Sequence, residues 1–261
     1  MKKSWPFSSV LPLSWLLLWG AASLSLLWSD PSHVLERSLR GPDLLHLMGF
    51  DAFGRNLLAT VLRASAVSCL FAITATIVSC AAGITAGALL AMSPKWARFF
   101  LLRTLELLLA FPSLLLALAI AAVSGPGWGT LMVALMIGSV PAFTRLSYAR
   151  TLELLSEEYI LAARGLGAGP LRIFLRHLAP ALLSLCSIKA PNLFAHALMA
   201  EATLSFIGAG APAGRDSWGT LLAQGKDYLV EAPHIAFGAG VPLVLTVLAL
   251  QLLSEKLSRK R

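Results

Sequence analysis

The chain has 261 residues, 57% of them hydrophobic and only 13% charged, with a mean hydropathy of +0.76. So little charge excludes a soluble domain of this size and marks a polytopic membrane protein. The formal net charge of +8 does not point to nucleic acid, because the basic residues lie between apolar runs, where they act as topology signals and lipid-headgroup contacts.

Met1-Lys2-Lys3 precedes an uncharged run over 10–28 that carries Trp15, Trp19 and Trp28. Its length and interfacial tryptophans predict a retained first transmembrane helix after a cytoplasmic N-terminus over 1–9. A cleaved leader is the competing reading, since Gly20-Ala21-Ala22 is rich in small residues. Residues 29–63 are polar and mixed in charge, read as an extracytoplasmic segment long enough for a short lateral helix. The region 64–261 holds five further predicted spans, at about 64–92, 99–123, 130–144, 181–207 and 235–254. In the first of these, Gly83 and Gly87 stand four apart, a spacing that lets helices approach closely. In the second, Arg103 and Glu106 are spaced to pair on one helix face, and Pro112 is expected to kink the span.

The insert 145–180 holds five Arg, three Glu and one His between greasy segments. A charged insert between spans must sit in water, and its Arg excess puts that water on the cytoplasmic side. Ala162-Ala163 opens a small-residue helical patch, Gly167 and Gly169-Pro170 break it, and 171–178 is amphipathic again before Pro180. Helix, turn and helix at a membrane surface suit docking into a groove on another protein.

The fifth predicted span is unusually polar, with Lys189, Asn192, His196 and Glu201. The first three share one helix face and form the candidate pore-facing stripe. The alternative is a snorkelling Lys189 and a silently packed His196. Cys69, Cys80 and Cys186 lie in apolar runs without metal spacing and read as small buried residues. With six spans, fourteen of the 21 Lys and Arg fall on the side of the two termini and six on the other, Lys189 lying within a span. Both termini are therefore expected in the cytoplasm. No G-x4-G-K-[ST] loop, H-E-x-x-H or G-x-S-x-G motif is present, so neither ATP hydrolysis nor intramembrane proteolysis is expected of this chain.

The insert resembles the cytoplasmic EAA loop of importer-type ABC permeases, E-A-A-x3-G-x9-I-x-L-P. Ala162, Ala163, Gly167 and Pro180 are in register, while Leu161, His177 and Ala179 replace the Glu, Ile and Leu. Three further runs resemble family elements. Gly49-Phe50-Asp51-Ala52-Phe53-Gly54-Arg55-Asn56 is similar to G-T-D-x-x-G-R-D, and Arg103 to Pro112 is similar to R-x2-D-x3-A-F-P. Ala200 to Gly210 is similar to A-E-A-S-L-S-F-L-G-L-G of the dipeptide, oligopeptide and nickel branch, in particular the second permease of its pair. The resemblance implies an all-α type I (MetI-like) ABC importer permease of six transmembrane helices with a cytoplasmic coupling helix, in the bacterial cytoplasmic (inner) membrane.

It further implies ATPase coupling through Ala162, Ala163, Arg164, Gly167, Gly169 and Pro180. Gly54, Arg55, Pro112 and Glu201 take structural or gate roles. The implied partners are a homologous second permease, two ABC ATPase subunits and an extracytoplasmic solute-binding protein, with no nucleic acid. No cofactor or metal is expected on this chain, ATP and Mg lying in the ATPases. Di- or oligopeptides, nickel or a metal chelate are the expected solutes. The rival reading is a stand-alone secondary transporter or channel that uses the polar stripe of the fifth span.

Overall fold

The structure is a computed structural model that describes residues 7–25, 35–212 and 214–259. Lys2, Lys3, residues 26–34 and the last two residues, to which the sequence assigned topology roles, lie outside the described residues. The described residues form helices joined by turns. They are α1 (Phe7–Ser25), α2 (Leu57–Met92), α3 (Lys95–Ala110), α4 (Ser113–Ser124), α5 (Trp128–Leu155), α6 (Glu158–Gly165), α7 (Pro170–Ile173), α8 (Ala179–Phe206), α9 (Trp218–Asp227) and α10 (Pro233–Arg259).

Among the described residues, four stretches are long and apolar enough to cross a bilayer: α2, α5, the run from Pro170 to Phe206, and α10. The pair α3 and α4 makes a fifth if read as one broken span, since it bends by 86° at Phe111-Pro112. The kink expected at Pro112 is thus a sharp corner. Proline has no N–H to give the helix and disfavours helical geometry in the residue before it. Phe111 is accordingly extended, with φ −85° and ψ 137°. The sixth helix of the bundle, α1, packs along α10 and α2. Its stacked Trp15 and Trp19 rings donate indole N–H bonds to Thr246 Oγ1 and Ser65 Oγ, both at 3.1 Å.

Two expected boundaries move. First, α2 begins at Leu57 rather than 64, because the Asn56 side chain caps it by accepting from the Leu58 and Ala59 amides. Among its described residues the segment before it holds a short 3-10 turn at Leu35–Arg37, where the sequence left room for a short lateral helix. Second, α5 does not stop near 144 but runs on to Leu155, carrying the first part of the charged insert inside the bundle. Ser147, Thr151 and Leu154 are buried there, while Arg150 and Glu153 pair at 2.7 Å on the exposed side.

The centre of the bundle is the α2–α5 contact, the most extensive in the molecule. It is close because both glycines of α2 face α5. A Cβ on Gly83 would lie 2.6 Å from Phe143 Cδ1, and one on Gly87 would lie 2.6 Å from Ser147 Cβ and 2.7 Å from the Thr144 carbonyl. The expected small-residue face is therefore real, and it joins α2 and α5 into one body. Gly87→Ala is expected to lower the melting temperature of the detergent-solubilised chain, because backbone atoms of α5 must shift, at a cost of about 1–3 kcal/mol. Gly129→Ala, where nothing lies within 4 Å, should melt like the parent or slightly above it.

Candidate functional site

The exposed part of the insert is built on two buried anchors. Ile160 of α6 and Ile173 of α7 are essentially inaccessible and join Leu154, Leu178 and Leu182 in one apolar cluster beneath the segment. α6 carries Glu158 in its first turn and Arg164 in its last, the arrangement its dipole favours. It ends in a left-handed turn: Gly167 has φ +81°, its amide donates to the Arg164 carbonyl at 2.9 Å, and the Ala168 amide donates to Ala163 at 3.0 Å. Glycine adopts that geometry at no steric cost. Pro170 then opens α7 at its first position, with Gly169 extended before it.

Ala162, Arg164, Gly167, Gly169 and Pro180 are exposed and Ala163 is half-buried. Around them Tyr159, Leu161, Leu166 and Leu171 are also exposed, Leu166 at 89%. An apolar, arginine-bordered surface on an anchored helix–turn–helix is shaped for a protein partner. The exposed leucines were not singled out from sequence. Their only signal was spacing, and the glycine turn interrupts it. Between α7 and α8 the chain passes through a π-helical turn, Phe174–Leu178, in which the His177 ring lies 5.9 Å from that of Tyr159. Such turns are uncommon and often sit at functional sites.

The polar stripe of α8 is divided. His196 lines a cavity of about 330 Å³ between α2, α4, α5 and α8, with Thr76 and a Ser79–Ser139 hydroxyl pair 2.7 Å apart. Lys189 and Asn192 are not among its lining residues. On α8 the cavity touches Leu193, His196, Ala197, Ala200 and Leu204. Lys189 lies a turn below this row, and Asn192 points about 100° away from Leu193 around the helix. The shared face expected for the three residues therefore does not give a shared cavity.

Glu201 is fully buried at the far end of α8. Its Oε1 accepts from the Ser205 hydroxyl at 2.8 Å, and the hydroxyls of Ser217 and Ser68 also face it. Ser205 in turn accepts from the Ala211 amide, and Ser68 from the Trp218 amide at 3.1 Å. The Ser68–Trp218 bond thus ties α2 to the start of α9 beside the carboxylate, whose Oε2 has no hydrogen-bond partner among the described residues.

Gly54 and Arg55 belong to a second clasp. The buried Asp51 carboxylate accepts from the Phe53 and Arg55 amides, both at 2.9 Å, and from Arg55 Nε at 2.6 Å. Gly54 supplies the positive φ, +71°, that closes the turn. Arg55 Nη1 then reaches Asp216 Oδ2 at 2.9 Å, on the segment before α9. Burial works against the Arg55 charge, yet Asp216 and then Asp51 more than offset it and raise the guanidinium above its ordinary pKa. His234 at the start of α10 donates a ring N–H to the Phe50 carbonyl at 3.1 Å. Asp51 and Asp216 escaped the sequence reading as site residues; the Asp51-x3-Arg55 spacing was visible, but a partner 161 residues away was not.

Fold and site define a polytopic α-helical membrane protein that displays one anchored helix–turn–helix between α5 and α8. Residues 83–260 match the family described as binding-protein-dependent transport system inner membrane components. The chain belongs to that family. It is 38% identical over 219 residues to a Brucella suis protein described as a peptide transport system permease, covering 83% of this chain and 73% of that one. It is 34% identical to the di/tripeptide transport system permease protein DppC of Pseudomonas aeruginosa, over 84% of this chain and 72% of the relative. It is also 34% identical to the glutathione transport system permease protein GsiD of Pectobacterium atrosepticum, over 85% and 74%.

A solved structure of the MetNI methionine ABC transporter in an inward-facing conformation contains a chain of the same fold. It has a TM-score of 0.55 and 21% identity, and covers 76% of this chain and 95% of that one. The expected fold class and the importer-permease resemblance are met. The stand-alone secondary transporter has no counterpart among these relatives.

Proposed function

We propose that this chain is the permease subunit of an ATP-driven importer for di- and oligopeptides or a peptide-like solute such as glutathione. Its partners are a homologous second permease, two ABC ATPases and an extracytoplasmic binding protein. ATP and Mg belong to the ATPases, and both termini face the cytoplasm, as the distribution of Lys and Arg favours. The observation that carries the reading is the exposed surface of α6 and α7 standing on Ile160 and Ile173. A partner that pushes on Ala162, Ala163, Arg164, Gly167 and Gly169 moves those anchors and, through the π turn past Pro180, moves α8. α2 and α5 are held together by the Gly83 and Gly87 contacts and form the body against which α8 shifts. Packed helices of this kind rock between discrete arrangements rather than deforming gradually.

On this reading His196 meets the solute at the cavity, Lys189 and Asn192 stand beside the path, and the clasps at Glu201 and at Gly54-Arg55 hold the opposite end. Pro112 sets the corner between α3 and α4, and α4 lines the same cavity.

A host lacking this chain should lose uptake of labelled dipeptide or glutathione and regain it when the chain is restored, with nickel uptake unchanged. Nickel uptake that follows the chain while peptide uptake does not would replace the solute class.

A further inference from the structure

Residues 43–47 form a tight turn in the segment before α2. The Asp43 and His46 backbones bond to each other in both directions, at 3.1 and 3.2 Å. Asp43 Oδ1 also accepts from the Leu45 amide at 2.9 Å and the His46 amide at 2.6 Å. The His46 carbonyl takes the Gly49 amide at 2.9 Å. These polar groups are therefore satisfied within the turn itself. Its tip is nevertheless apolar: Leu44, Leu45 and Leu47 are 100%, 88% and 73% exposed. The coupling surface, the cavity and the clasps leave these leucines unused.

An apolar tip of this kind marks a contact with protein or membrane, and its place beside α10 decides between them. The Met48 sulfur lies 3.9 Å from where a Cβ on Gly238 would stand, five residues and about 7.5 Å into α10. The His46 ring packs on the Phe50 ring at 4.5 Å, and the Phe50 carbonyl bonds to His234 at the start of α10. The turn is thus held against the first two turns of α10. At that level an exposed apolar stripe begins with Phe237, the neighbour of Gly238, and continues through Val241, Val244, Leu248 and Leu252. On a bilayer-crossing helix that stripe is the face offered to acyl chains.

We propose that the 43–47 turn is an interfacial anchor: Leu44, Leu45 and Leu47 are immersed in the leaflet at the end of the bundle where α2 and α10 begin. On the orientation proposed above this is the outer leaflet; the anchoring depends neither on that orientation nor on the importer reading. Phospholipid is the occupant because the leucines continue the α10 stripe, and because the turn already satisfies the amides that a medium without water cannot. Arg37 is exposed, with its guanidinium 5.6 Å above the Phe50 ring, and stands ready for a headgroup phosphate. Apolar side chains beneath a basic border sink to the boundary between headgroups and acyl chains. Phe50 joins this turn to Asp51, so the anchor holds the Asp51–Arg55 clasp at the membrane surface.

The test places a bimane fluorophore on Leu45→Cys in the full chain, purified in mild detergent with the subunits that accompany it and returned to lipid vesicles. The side chain is exposed, so the substitution leaves the fold intact. Label taken up by the parent chain, whose three cysteines are at least partly buried, sets the background. Two quenchers are compared: phosphatidylcholine brominated high on its acyl chains, and iodide present on both sides of the membrane. The expected result is a marked loss of fluorescence with the brominated lipid and little loss with iodide. Iodide quenching that equals or exceeds lipid quenching would overturn the anchor and make the tip a surface for a soluble partner. Protection from both quenchers would overturn it as well, by showing that another protein subunit covers the leucines.

Discussion

Asp51→Ala is expected to destabilise the chain by about 3–5 kcal/mol, the range for removing one partner of a buried ion pair. The Asp51 carboxylate is fully buried and answers three donors at once: the Phe53 amide, the Arg55 amide and Arg55 Nε. Without it the two amides lose their acceptor, and a guanidinium that is only 11% exposed keeps Asp216 alone. The segment before α2 then comes away from the segment before α9, although the hydrophobic helices remain. Asp51→Asn should cost less, since an amide oxygen still accepts from the backbone while the charge pairing is lost. Thermal melting in detergent, followed by size-exclusion profile, checks both. A parent-like melt for Asp51→Ala would remove the clasp from the account.

Gly167→Leu is expected to abolish uptake while leaving the chain in the membrane at parent abundance. At φ +81° a leucine pays about 1–2 kcal/mol of backbone strain, yet no atom lies within 4 Å of the added Cβ, so packing is untouched. The loss comes from the surface itself. A branched side chain stands on the turn that joins the two exposed helices, and relief of the strain re-aims α7. Gly167→Asn should retain more uptake, because asparagine tolerates the left-handed region. Parent-level uptake by Gly167→Leu would count directly against docking at this turn. Loss of the protein from the membrane would show instead that the turn supports folding.

These two sites show what sequence makes legible. The turn at Gly167 was readable because glycine and Gly169-Pro170 restrict the backbone locally, whatever packs around them. The same holds for the break at Pro112, and for the close face of α2, where Gly83 and Gly87 repeat at helical spacing. The span pattern was readable because apolar length is a one-dimensional property. The Arg55–Asp216 pair was not, since nothing in a chain announces which of two distant charges will share a clasp.

The extent of α5 was misjudged for a related reason. Arg145, Arg150 and Glu153 suggested a departure into water, but both residue types are compatible with a continuing helix, and neither Pro nor Gly occurs between Arg145 and Ser156. The α8 stripe was half legible. Periodicity put Lys189, Asn192 and His196 on one face, but the height of the cavity along α8 depends on α4 and α5, which that periodicity does not encode.

The central claim is that the α6–α7 surface is where a partner drives the permease. Its most direct test is recovery of the tagged chain from native membranes in mild detergent, with and without Gly167→Leu, and identification of what comes with it. The account predicts a second permease and a phosphate-loop ATPase with the parent chain, and the permease without the ATPase with the variant. A chain recovered alone that still moves solute after ATP depletion would contradict it.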